Sequence, residues 1–378
     1  MRSALLLTGA TGFVGVELLP RWLAAHPEAT VHCLARASDA TELAKRRERV
    51  LAWARISERD ARRVVFHAGD VTDPDLGLGE RYDALAREVD EVVHAAASTR
   101  FDLTLDEARR INVGGLESVI RFARAAQEQG GLRRLHYVST AYADGEPLPG
   151  ERRFRNAYEQ SKSEAEQLLV QTADELRVTC YRPSIIVGDS RTGRTPHFRV
   201  LYEPIKWVYY GKTDVLPCRP EVRLDVVPID WVCDSIIELA GLAESVGRTY
   251  PLCAGTERSI SIAEIIEISL ESGNACLREL GEPEVSAPRV VTPEDVEAAS
   301  GEERERLGQI WSLGSEVLRA YAPYMLQEQL FDPAPTPSRI SERCPGLRDY
   351  LPVLIRYTAD TMYEEWAGLD ESAMGGQK

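Results

Sequence analysis

Positive charge is scarce in this chain: 45 Lys and Arg stand against 60 Asp and Glu, a formal net charge of −15 over 378 residues. That balance argues against a nucleic-acid binder, whose affinity comes largely from cations neutralising phosphates, and against docking on an anionic membrane. Long apolar runs are missing too; none approaches the ~20 residues of a membrane span. The opening MRSALLLTGATGFVG has a positive start, but its apolar run at 4–7 is shorter than the ~7–15 residues of a signal-peptide core. No cleavage site follows, so the run reads as a buried first strand. The seven cysteines (33, 180, 218, 233, 253, 276 and 344) form no CxxC pair. Scattered and odd in number, they point to reduced thiols in a cytoplasmic protein rather than a disulfide frame. The six histidines offer neither HxH nor HExxH, so no metal site is expected. Internal repeats and low-complexity segments are also absent.

What is present is ordinary globular material, 44% hydrophobic and 28% charged. The length suits two to three domains or one large α/β unit. Apolar runs at 4–9, 30–35, 64–70, 91–97, 132–140 and 177–188 read as strands. Helical patterns fill 13–25, 39–53, 79–88, 103–127 and 157–175 between them. This alternation predicts an α/β, Rossmann-type, doubly wound parallel sheet. Pro20 is expected to kink the first helix or shift its start. After residue 188 the chain turns polar, then aromatic at EPIKWVYYGK (203–212). The runs 223–232 and 249–256 look like late strands returning to the sheet, and from 259 the pattern is mostly helical, with a loop at 281–292. The expected division is a nucleotide-binding core over 1–188, with late strands from about 223–256, and a smaller, mainly helical substrate lobe over 189–222 and 257–378.

LLLTGATGFVG sets Gly9, Gly12 and Gly15 between a strand and a helix. One glycine permits a tight turn, another lets backbone approach a pyrophosphate, and the third allows close helix packing. The helix N-terminus adds free amides and a positive dipole end. Thr8, Thr11, Phe13 and Val14 complete this expected cofactor cradle. The second strand ends CLARAS, where NAD-selective folds usually carry an acid for the ribose hydroxyls. Arg36 stands there instead, and a guanidinium suits the 2′-phosphate of NADP(H). Arg46 and Arg47 can extend that patch or form a solvated basic face. In GDVTD, Asp70 can accept from an adenine amino group or act as a turn aspartate, with Val71 beside it. HAAAS ends the fourth strand in small residues, so that Ala95 and Ala96 let a cofactor lie against the backbone. Asn112 follows on the next helix, placed to hold a carbonyl or a water.

AYEQSKSEAEQLL places Tyr158 and Lys162 one helical turn apart on one face. Taken alone, such a pair is either chance or a catalytic couple. In order along 1–260, the pieces TGATGFVG, GDV, HAAA, NV, VSTAY, YEQSK, YRPSIIVG and LDVVPIDWV resemble the extended short-chain dehydrogenase/reductase family. That resemblance implies a catalytic trio of Thr140, Tyr158 and Lys162, with Lys162 also on the nicotinamide ribose and Tyr181, Pro183 and Ile185 beside the cofactor. A carbonyl reduction needs a hydride at carbon and a proton for the oxygen. An ordinary tyrosine titrates near 10, and a lysine ammonium one turn away is expected to lower it. Thr140 would hydrogen-bond the substrate oxygen.

RPSIIVGDSRTG and CLARAS look most like the thioester-reductase and fatty acyl-CoA reductase branch. That likeness implies NADPH-dependent reduction of an acyl thioester, on CoA or on an acyl carrier protein partner, to an aldehyde or beyond. The aromatic segment 203–212 then lines an acyl channel or sits in a core. A nucleotide-sugar epimerase or dehydratase, a hydroxysteroid-type dehydrogenase and an NADP-binding regulator share the same core and are the alternatives.

Overall fold

The structure is a computed structural model that describes residues 3–148, 151–198, 201–209, 215–313 and 316–374. The chain divides into two compact units. The first comprises Met1–Ser184, Val232–Leu252 and Pro333–Ser341. Its centre is a seven-stranded sheet built from β1 (Ala4–Thr8), β2 (Thr30–Ala35), β3 (Val64–Ala68), β4 (Glu91–His94), β5 (Arg134–Val138), β6 (Val178–Pro183) and β7 (Arg248–Leu252). The spatial order is β7-β6-β5-β4-β1-β2-β3, and every pairing is parallel. Parallel strands covered on both faces lose the polar alternation of a half-exposed sheet, and β1 and β5 are buried at every residue. The order reverses between β1 and β4, the switch point at which such sheets hold ligands beyond the strand C-termini.

The covering helices are α1 (Phe13–Ala25), α2 (Ala40–Trp53), α3 (Tyr82–Glu88), α4 (Leu105–Gly130) and α5 (Ala157–Gln171). A capping box at Thr104 and Glu107 starts α4, and Gly131, left-handed at φ 78°, ends it. Packing of α4 on α3 and α5 puts Leu116, Phe122 and Ala165 into one apolar cluster with Leu6, Val92 and Leu135. Pro20 neither moves nor interrupts α1, which starts at Phe13 and runs through it. The helix forgoes one backbone bond and is held instead by burial of Leu18, Leu19, Trp22 and Leu23.

The second unit comprises Ile185–Trp231, Cys253–Asp332 and Glu342–Lys378. Here two expectations are corrected. The run 177–188 is not one strand: it divides at Ser184, and Ile185–Val187 pairs in parallel with Val226–Pro228. The run 223–232 does not return to the large sheet: Arg223–Leu224 pairs antiparallel with Ile260–Ser261, Val226–Pro228 joins that small parallel pair, and Ile229 opens the helix Ile229–Ala240. Of the other late run, Arg248–Leu252 does join the sheet as β7. Buried Asp225 accepts from the amides of Ala254 and Gly255 at 2.8 and 3.0 Å, and Asp230 accepts from the Ser190 amide and hydroxyl at 2.9 and 2.7 Å. The two acids of LDVVPIDWV thus tie loops together. The helices Ile262–Leu280 and Leu347–Met374 pack on each other. The expected loop at 281–292 contains a short strand, Arg289–Val291, paired with Val215–Pro217.

Candidate active site

Backbone geometry at the end of β1 requires its glycines. Gly9 has φ +76°, and a Cβ there would come within 2.6 Å of the Ala95 and Ala96 backbone. A Cβ on Gly15 would run into the Gly9 carbonyl, so α1 can approach the strand only without one. The Gly12 amide donates to the Gly9 carbonyl at 2.8 Å, closing the turn. Gly12 caps α1 with no side-chain bond, and no acid occupies the first turn. Among the described residues the first turn thus has neither a side-chain cap nor an acid of its own, an arrangement that fits a dinucleotide pyrophosphate. Thr11, Phe13 and Val14 flank this turn. Thr8 ends β1 fully buried; its hydroxyl shares a 2.7 Å hydrogen bond with His94 Nδ1 and accepts from the Ala96 amide at 3.4 Å.

The remaining cofactor candidates sit at neighbouring strand ends. Arg36 is exposed just after β2. The nearest acid downstream, Asp39, accepts from the Glu42 amide as the N-cap of α2. Arg46 is held by Glu42 at 2.6 Å, and Arg47 donates to the Ala61 carbonyl at 3.1 Å, so both are already engaged. Asp70 accepts from the Thr72 amide and hydroxyl, both at 2.9 Å, which is the turn role. Val71 is buried and meets Gly115 of α4. Asn112 is locked rather than available: it accepts from the Ser98 amide at 2.8 Å and donates to the Ser98 carbonyl and to Ser161 Oγ at 3.1 and 2.9 Å. Tyr181 and Pro183 lie on β6, with the Tyr181 hydroxyl 2.9 Å from His136 Nδ1. Ile185 belongs to the second unit, where it lines an apolar cavity.

Three elements meet around the trio. Thr140 follows β5 and begins a short turn of helix; its hydroxyl hydrogen-bonds Tyr158 and lies 3.5 Å from the Pro183 carbonyl. Asn156 caps α5 by accepting from the Glu159 amide at 3.0 Å, which places Tyr158 in the first turn, half-buried with Phe101 at 5.8 Å. Lys162 is 2% exposed; its ammonium donates to the Val138 carbonyl at 2.8 Å and sits 4.2 Å from the centre of the Tyr137 ring. Burial pushes the Tyr158 phenol up to about 12, against the Thr140 hydrogen bond that lowers it. Burial pulls the Lys162 ammonium down to about 8, opposed by Cys180 and Glu166. The lowering of Tyr158 by Lys162 that the spacing suggests does not arise here: burial dominates the phenol, while the ammonium gives one of its donors to the Val138 carbonyl. The phenol therefore holds its proton at neutral pH, the state a proton donor needs.

Sequence reasoning missed two supports. Glu166 accepts from Arg182 Nε at 3.0 Å and from the Ser139 hydroxyl, fastening α5 to β5 and β6. It lies one turn beyond Lys162, but its role comes from meeting Arg182 and Ser139 on other elements. His94, opposite both Thr8 and Tyr137 in register, stacks on Tyr137 at 5.7 Å and is depressed to about 3 by burial and then by Lys162.

A family model described as male sterility protein matches residues 7–236. The chain belongs to that family. It is the thioester-reductase branch of the extended short-chain dehydrogenases/reductases, a nicotinamide-binding fold. This male sterility family member is 31% identical over 268 residues to a component of the linear gramicidin synthase of Brevibacillus parabrevis, covering 66% of this chain and 5% of that protein. It is 31% identical over 292 residues to an aldehyde reductase of Aspergillus flavus, covering 71% and 27%. The chain thus spans from a twentieth to just over a quarter of those relatives. Among solved structures, the terminal R domain of the myxalamid PKS-NRPS pathway superposes with TM-score 0.74 at 25% identity, covering 96% of this chain and 91% of that one. A UDP-N-acetylglucosamine 4-epimerase from Methanobrevibacter ruminantium reaches 0.62 at 15% identity, a likeness of fold alone.

Proposed function

We propose that the chain is an NADPH-dependent reductase that converts an acyl thioester, carried by an acyl carrier protein, to the aldehyde. The observation that carries this reading is the half-buried Tyr158 phenol, hydrogen-bonded by Thr140 and raised to about 12 beside the buried ammonium of Lys162. The names of the relatives, a synthase and an aldehyde reductase, favour a carrier-bound thioester over a sugar nucleotide. A bound reduced nicotinamide supplies a hydride. The glycine turn and the first-turn amides of α1 hold the pyrophosphate, and the Arg36 guanidinium, exposed with Asp39 committed elsewhere, takes a 2′-phosphate. The small residues Ala95 and Ala96 leave room against the backbone, and Lys162 orients the ribose.

Thr140 and Tyr158 hydrogen-bond the thioester carbonyl oxygen, and Tyr158 donates its proton there as negative charge develops. The product is a hemithioacetal. Tyr158 then takes the hydroxyl proton back, the C–S bond breaks, and the thiolate leaves and is protonated by solvent. One hydride and one proton are consumed per aldehyde and thiol formed. The test offers NADPH with acyl-pantetheine thioesters, fatty aldehydes and UDP-sugars and follows absorbance of the reduced nicotinamide. Failure to oxidise NADPH with any thioester or aldehyde would sink the proposal. Tyr158→Phe should lower turnover at least ~100-fold, the scale of general acid catalysis, while leaving NADPH affinity unchanged.

A further inference from the structure

Lys162 carries its charge almost wholly inside the first unit, at 2% exposure. A buried ammonium without a carboxylate against it loses hydration and is driven toward the neutral amine. Glu166, one turn further along α5, is paired with Arg182 and acts on Lys162 through charge alone, behind Cys180. Two closer neighbours favour the charged form. The Val138 carbonyl accepts from the ammonium at 2.8 Å, and Tyr137 presents the face of its ring, with Lys162 Nζ 4.2 Å from the ring centre. An aromatic face is negative and attracts a cation, most strongly where water is excluded. The carbonyl takes one of the three ammonium donors, and the ring stabilises the charge without consuming a lone-pair acceptor.

Register rather than a polar bond fixes that ring. Tyr137 lies opposite His94 across β5 and β4, and the two rings stack 5.7 Å apart at 26°. His94 is tied in turn to β1, its Nδ1 2.7 Å from the Thr8 hydroxyl. The Tyr137 hydroxyl has no hydrogen-bond partner among the described residues, so the ring and not the phenol oxygen meets its surroundings. The other titratable groups around the pair are neutral at neutral pH. Burial pushes up the Cys180 thiol on β6 and the Tyr158 phenol on α5, and it pulls the His94 imidazole down to about 3. Among the described residues that leaves Glu166 as the charged neighbour, and Arg182 compensates it. The Val138 carbonyl and the Tyr137 face therefore carry the local stabilisation of the ammonium.

We propose that Tyr137 is a positioning residue of this site: its ring face keeps the buried Lys162 charged and in place, so that an ammonium donor remains for the nicotinamide ribose. The ribose role rests on the reductase reading above; the charge on Lys162 does not. The chain has five lysines, at 45, 162, 206, 212 and 378. Carbon-13 labelling of lysine therefore lets NMR follow Lys162 directly, assigned by its loss in Lys162→Met, with neither cofactor nor substrate present. In the parent that signal should titrate at about 8. Tyr137→Phe keeps the ring face and should titrate with the parent. Tyr137→Leu removes the face and should lower the midpoint by about one unit, a tenfold loss of the charged form. Pentafluorophenylalanine in place of Tyr137 fills the ring's space with the polarity of the face reversed. It should lower the midpoint at least as far, which separates loss of the face from a cavity left by leucine. With NADPH and an acyl-pantetheine thioester, the alkaline limb of kcat/KM should move with the NMR midpoint in every variant. Leucine and fluorinated proteins that titrate with the parent would overturn the role of the ring, and so would a Tyr137→Phe midpoint as low as that of leucine. Midpoints that fall as expected in a chain that reduces no thioester or aldehyde would support the role of the ring and remove the reductase reading.

Discussion

Lys162→Met tests whether the buried ammonium is a cost accepted for chemistry. In the folded chain Lys162 is 2% exposed and its pKa falls to about 8 from 10.5. A depression of that size means that holding the charge costs folding about 3 kcal/mol at neutral pH. Below pH 8 the lysine is charged in both folded and unfolded chains, and the whole cost is present. Between pH 8 and 10.5 the folded chain has lost a proton that the unfolded chain keeps, so stability rises with pH across that window. Methionine fills nearly the same volume without charge. Its debit is the Val138 carbonyl, which loses a 2.8 Å donor, at about 1–2 kcal/mol. The variant should therefore be about 1–2 kcal/mol more stable than the parent at pH 7 and lose that advantage by pH 10. Urea unfolding of both proteins, reduced and without nucleotide, measures the difference at each pH. A variant less stable at pH 7, by a margin unchanged at pH 10, would refute the reasoning.

Two further outcomes follow from the site. Asn112→Ala removes the bonds that this 2% exposed side chain makes to Ser98 and Ser161; denaturation should show a loss of about 2–3 kcal/mol, and a change under 0.5 kcal/mol counts against the lock. Arg36→Ala should weaken NADPH binding about tenfold through loss of a charge-assisted bond, with NADH within twofold, and equal effects on both cofactors would remove the 2′-phosphate role.

The sheet was legible because a parallel strand buried on both faces must be a continuous apolar run, and β1 to β5 are short ones bounded by polar residues. The same rule produced the error at 177–188. Burial persists across Ser184, and Ile185, Ile186 and Val187 continue the β-branched character, so nothing in composition marks the break. What breaks is partnership: the Ser184 amide donates to the Leu252 carbonyl, and the next amide, of Ile185, donates to that of Asp225. Run 223–232 failed for a related reason. Ile229, Val232, Cys233 and Ile236 have helical spacing, but they follow a strand without a polar gap, and length could not separate the two.

The site divides along the same physical line. Gly9 and Gly15 were readable because their need is steric and local, and Tyr158 and Lys162 because a helix brings i and i+4 together whatever surrounds it. His94 and Glu166 were not, since each acquires its role from register: His94 from lying opposite Thr8 and Tyr137, Glu166 from meeting Arg182 across an element boundary. Environment then reversed one inference. Spacing alone makes Lys162 the natural means of lowering Tyr158, yet burial raises the phenol to about 12 and commits the ammonium to Val138. Sequence can place two groups on one face; which proton each keeps is decided by the carbonyls and rings packed around them, and for Tyr158 that packing keeps the proton on the phenol at neutral pH.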